Sequence, residues 1–165
     1  MEFSIEPFDR NDWEEIREIY SAGIATGDAT FETEAPSWEK WDSGHLAEAR
    51  LAARAGGRIL GWAALSPVSS RCAYAGVAEV SVYVADGCRG LGVGKALLQA
   101  LIAASEANGI WTLQASIFPE NAASVKLHER CGFTLLGRHE RLGRLAGRWR
   151  DVLLLERRSG TVGVD

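Results

Sequence analysis

The sequence is poor in sulfur and carries no surplus of positive charge. Its three cysteines, Cys72, Cys88 and Cys131, lie far apart, are odd in number and never form C-x-x-C. That pattern signals neither a disulfide framework nor a zinc site, so reduced thiols and no metal are expected. No run of about 18 uninterrupted apolar residues occurs, and the opening MEFSIEPFDR lacks the basic-then-apolar order of a signal peptide. A cytoplasmic location with no membrane partner is therefore expected. A net charge of −4 disfavours a general nucleic-acid surface. The exception is Arg138 to Arg158, which holds seven arginines; they alternate with apolar residues, as in RWRDVLLLERR, and read as a solvated strand face. Internal repeats, linkers and low-complexity tracts are also missing. What remains, 165 residues of which 47% are hydrophobic, reads as one domain over 1–165, with residues from about 159 to 165 frayed.

Strands and helices alternate along it. FSIEPF reads as a strand, followed by a helix near Arg10–Ala22 whose apolar face is Trp13, Ile16, Ile19 and Tyr20. After a Gly/Thr/Asp-rich loop, a second helix is expected from about Pro36 to Ala49. RLAARAGGRILGWAALSP is a hairpin signal about Gly56-Gly57. In the strand VAEVSVYV, Val80, Val82 and Val84 share one face and Glu79, Ser81 and Tyr83 the other. A helix carrying Leu97, Leu98, Leu101 and Ile102 on one stripe stops near Asn108-Gly109. IWTLQASIF is a strand, ENAASVKLHERCG a short helix capped by Asn121, and the last two apolar segments form a hairpin.

The glycines of CRGLGVGKALL ask for a ligand. Gly90, Gly92 and Gly94 stand between Arg89 and the start of a helix, where free N–H groups and the dipole favour an anion. The loop is not a Walker loop, because Arg89 occupies the first glycine position and Ala96 follows Lys95. Nor is it a dinucleotide fingerprint, which from Gly90 requires glycine where Lys95 stands. An arginine and three glycines exceed what a tight turn needs, so phosphate binding is the expectation.

The strand VAEVSVYV, the loop RGLGVG, the helix with Asn121 and Ser124, and CGF at Cys131–Phe133 together resemble the GNAT superfamily of acetyl-CoA-dependent N-acetyltransferases. IYSAGIATGDATFETEAPSW, AEVSVYV, LHERCGF and GRWRDVLLLERR are similar to its phosphinothricin and methionine sulfoximine acetyltransferases. The resemblance implies a mixed α/β fold, a mostly antiparallel central sheet flanked by helices. It implies acetyl-CoA as co-substrate, its pyrophosphate on the amides of Leu91, Gly92, Val93, Gly94 and Lys95, with Arg89 assisting and Gly90 also on the cofactor-binding loop. The edge at Val82 and Val84 would pair with the pantetheine, with Asn121 and Ser124 nearby.

An amine attacking a thioester must lose a proton, and the resulting oxyanion must be stabilised. Glu79, the only carboxylate in an apolar strand, is the expected base. His128 shares a helix face with Asn121 and Ser124, stands where many of the superfamily carry tyrosine, and is open to an acid or a base role. By resemblance Arg71, Tyr74 and Phe31 would line the acceptor pocket, Arg71 holding a carboxylate. Ser69 and Val77 depart from the pattern, a basic residue and a threonine being common there. Trp149 and Asp151 are typical of the subfamily, which implies a homodimer near the final strands. The expected function is N-acetylation of a small amino acid or analogue; acetylation of a polyamine or protein N-terminus, or an acyl-CoA-binding regulator, are the alternatives.

Overall fold

A computed structural model describes all residues, Met1–Asp165. Strand β1 (Ser4–Pro7) leads through one 3₁₀ turn into α1 (Trp13–Ala25), then α2 (Trp38–Ser43), β2 (Leu51–Ala55), β3 (Arg58–Pro67) and β4 (Val77–Val84). Helix α3 (Val93–Ala107), β5 (Thr112–Ile117), α4 (Ala122–Arg130), β6 (Thr134–Leu145) and β7 (Arg148–Arg158) follow. The seven strands form one sheet in the order β1-β2-β3-β4-β5-β7-β6. Every pairing is antiparallel except β4 with β5, which is the mixed, mostly antiparallel sheet the sequence implies.

Helices cover both faces, so β3 is buried from Ile59 to Leu65. On one face α3 inserts Leu97, Leu98 and Leu101, all fully buried, against Leu65, Val80, Leu113 and Leu155. Truncating any of these leucines to alanine costs about 2–5 kcal/mol by lost burial and residual cavity. On the other face, α1 and α2 pack Ile16, Trp13 and Trp41 on Phe8 and Trp62. Here α1 meets β4 so closely that a Cβ on Gly23 would lie 2.7 Å from the Tyr83 ring, a spacing only glycine allows.

Three expectations are corrected. The first helix does not begin at Arg10: residues Arg10–Asp12 form the 3₁₀ turn, held by a capping box from Asp9, and the α-helix runs on to Ala25. The second helix covers only Trp38–Ser43. Its continuation fails because the Arg50 guanidinium takes the carbonyls of Asp42, His45 and Leu46, which a longer helix would give to its own amides. The frayed tail is tied down as far as Gly163. Ser159 and Thr161 donate to Glu106, and Arg158 donates to the carbonyls of Val162 and Gly163.

Candidate active site

The one parallel pairing is short. Only Val77, Ala78 and Glu79 of β4 register with Thr112, Leu113 and Gln114 of β5. Beyond them β4 stays with β3 as far as Val84, while β5 runs beside β7 as far as Ile117. The sheet therefore opens into a cleft of about 800 Å³. Ala85 donates to Leu60 on the β3 side, so strand alternation turns the amides and carbonyls of Val84 and Val82 toward the opening. Both valines line it.

At one end lies the glycine loop. Gly90 (φ 77°) and Gly92 (φ 83°) are left-handed, and a Cβ on either would meet open space. Gly92 is the N-cap of α3 and provides no side-chain cap. The first intrahelical bond is Ala96 to Gly92, and the N–H groups of residues 89–95 have no backbone acceptor. Seating a diphosphate there requires such a run of unpartnered donors at a helix N-terminus. Arg89, Gly90, Gly92, Val93, Gly94 and Lys95 all line the cleft; Leu91 does not, and its side chain is exposed. The residues present thus fit the pyrophosphate of a coenzyme A.

Glu79 stands where the strands part, half-buried, and lines the cleft together with Ser116. Burial pushes its carboxyl above the usual carboxylate range, the Ser116 side chain opposing in part. His128 lies across the cleft on α4, 4% exposed, its ring edge-on to Phe133. Its Nδ1–H donates to the Ser124 carbonyl at 2.7 Å. A carbonyl only accepts, so in the neutral ring the lone pair sits on Nε2. Burial favours that neutral ring by lowering the His128 pKa. Asn121 caps α4 by accepting from the Ser124 amide, and its Nδ2 donates to the Asp28 carbonyl.

The other end of the cleft is walled by the loop after α1. Phe31 meets Phe118 edge to face at 4.9 Å, and both line the cleft with Asp28, Thr30 and Glu120. The Tyr20 and Tyr83 rings pack against each other at 4.9 Å, and Tyr83 lines the cleft. Arg71 and Tyr74 are not brought to it. Both are exposed, on the 3₁₀ turn before β4, where the Arg71 guanidinium lies 5.8 Å from the Tyr74 ring centre. Within one chain they lie outside the cleft.

The residues that sequence reasoning missed are Asp28, Thr30, Ser116, Glu120 and Arg150. Arg150 is 7% exposed, against the reading of its segment as a solvated face. Its partners Asp28 and Glu120 are distant in the chain, so no local pattern announces them.

The comparisons with known proteins agree with this geometry. The Acetyltransferase (GNAT) family model matches residues 13–133. The chain is 34% identical over 164 residues to the phosphinothricin N-acetyltransferase of Streptomyces coelicolor, covering 94% of this chain and 96% of that protein. It is 40% identical over 106 residues to the L-methionine sulfoximine/L-methionine sulfone acetyltransferase of Pseudomonas paraeruginosa, over 64% of this chain and 62% of that protein. The match thus spans less than two thirds of that relative. Among solved structures, a phosphinothricin acetyltransferase of Sinorhizobium meliloti in complex with acetyl-CoA superposes with a TM-score of 0.89 at 30% identity, covering 100% of this chain and 92% of that one. On this sheet, this loop and these matches, the chain belongs to the GNAT acetyltransferase family.

Proposed function

We propose that the protein transfers the acetyl group of acetyl-CoA to the free amino group of a small amino acid or amino-acid analogue of the phosphinothricin or methionine sulfoximine kind. The observation that carries the reading is the run of unpartnered N–H groups over residues 89–95 continuing into the free β4 edge, which ends at Glu79. Phosphates on the loop and pantetheine along Val84 and Val82 direct the acetyl end toward the base.

Acetyl-CoA supplies an activated acetyl group and a thiolate leaving group. Glu79 takes the amine proton; its raised pKa makes it a better base at neutral pH than an ordinary carboxylate. His128, neutral with its Nε2 lone pair free, serves as a proton acceptor rather than as the acid. Phe31 and Phe118 hold the apolar part of the acceptor.

The relatives' substrates support an amino-acid analogue as acceptor. A polyamine is the second reading, favoured by Asp28 and Glu120 at the acceptor end and by Arg71 lying outside the cleft. We further propose a homodimer through the exposed face of β6 and β7, and a cytoplasmic location, supported by three free thiols and a dependence on acetyl-CoA. No helix is long and apolar enough to cross a membrane.

The test is thiol release from acetyl-CoA with phosphinates, sulfoximines, free amino acids, polyamines and peptides. Turnover highest with a phosphinate or sulfoximine is expected. Preference for a polyamine moves the acceptor to the second reading, and no release with any amine overturns acetyl transfer.

A further inference from the structure

A buried guanidinium connects the last hairpin to the acceptor wall. Arg150 rises from β7, opposite Gly143 of β6, and its Nη1 donates to the Gly27 carbonyl at 2.7 Å. Its Nη2 donates to Asp28 Oδ1 at 2.8 Å and reaches Glu120 Oε2 at 3.4 Å. The plane lies 4.1 Å from the centre of the Phe118 ring, and Phe118 carries Phe31. Asp28, Glu120, Phe31 and Phe118 all line the cleft, whereas Arg150 stands behind them. The segment it grips has no regular structure between Thr26 and Ser37, and Gly27 is left-handed at φ 74°. That segment therefore has little backbone bonding of its own to fix its shape.

We infer that Arg150 is a positioning residue, which presets the acceptor wall by clamping the Gly27–Asp28 turn and Glu120 to the hairpin. It cannot itself hold an acceptor carboxylate. Its charge is engaged by Asp28 and Glu120, it does not line the cleft, and its Nε is buried and unpartnered. A fork of donors is what three acceptors on two segments require, and lysine, a single point charge, cannot span them. Without the cation two half-exposed carboxylates would also face each other across the wall.

The kinetic arm of the test rests on the acetyltransferase reading; the other arm does not. Hydrogen exchange is followed by mass spectrometry in the parent, R150K and R150M. Exchange over residues 26–34 should accelerate in R150M and less in R150K, with the 89–95 loop and β3 unchanged. In steady state R150M should raise KM for every acceptor the parent uses by about tenfold to a hundredfold, the cost of misplacing a wall, and leave KM for acetyl-CoA within about twofold. Should R150M not fold, the double variant D28N/E120Q removes the same ion pairs from the exposed side and should loosen the same segment. Unchanged exchange at 26–34 in the folded variants overturns the inference. So does faster exchange throughout the sheet with both KM values moved alike, which would make Arg150 a general support of the fold.

Discussion

Glu79 is held in a state that opposes stability and, in the proposed function, serves chemistry. Burial raises its folded-state pKa above the unfolded one, so the folded protein binds the proton more tightly. Its contribution to stability is therefore whole below the unfolded pKa and lost as the pH rises through the folded value. Glu79→Gln should melt higher than the parent at pH 8, and the gap should close in acid, where both side chains are neutral. The same variant should lower kcat by about 10²–10⁴, the range for a general base. Its activity should recover partly at high pH, where free amine is abundant; melting curves and pH–rate profiles on one preparation check both outcomes. His128 runs the other way. Its pKa is depressed, so its contribution is present above the unfolded value, 6.5, and lost as the pH falls through the folded one. Parent-level activity in Glu79→Gln at every pH would leave Glu79 a structural residue.

At the scale of elements, legibility followed range in the chain. The loop before α3 was readable because a glycine needed at φ 83° and a helix start both write themselves into adjacent residues. The cap at Asn121 was readable for the same reason, its acceptor and donor lying three residues apart. Arg150 was not, since its meaning lies in bonds to Gly27 and Asp28, 123 and 122 residues away. Nor was the end of α2, where a single arginine captures three carbonyls. The loop gives the sharpest prediction at this scale. A side chain on Gly92 pays roughly 1–2 kcal/mol for a left-handed backbone, and a β-branched one also enters the space above the free amides. Gly92→Val should raise KM for acetyl-CoA strongly and leave the acceptor KM nearly unchanged; unaltered acetyl-CoA affinity in a folded variant would refute phosphate binding here. Arg71 gives the converse. It lies outside the cleft, so Arg71→Ala should leave both KM values within about twofold, and a selective rise for amino-acid acceptors would restore the carboxylate role that the resemblance implies.

At the scale of the whole molecule, the two edges of the sheet differ. The β1 edge pairs only four residues, Ser4 to Pro7, whereas β6 offers twelve, from Thr134 to Leu145, nearly all exposed. A long open edge invites association, and here it is blunted by two irregularities in register, by the Arg138 guanidinium on Asp151, and by the Arg141 backbone N–H, which donates to the same carboxylate. That leaves the faces of the hairpin, where Leu135, Leu136, Leu142 and Trp149 are 48%, 55%, 54% and 55% exposed. Four large apolar side chains half in water on one hairpin support an interaction surface there. A second copy is the occupant that satisfies it without another gene product, since a two-fold contact uses the same patch twice. The parent should therefore sediment at twice the mass of the chain. Leu136→Asp places a charge on the proposed interface, and it should sediment as a monomer with an unchanged circular dichroism spectrum. A parent that already sediments as a monomer at micromolar concentration would remove the homodimer from the proposal, while the cleft, built within one chain, would stand.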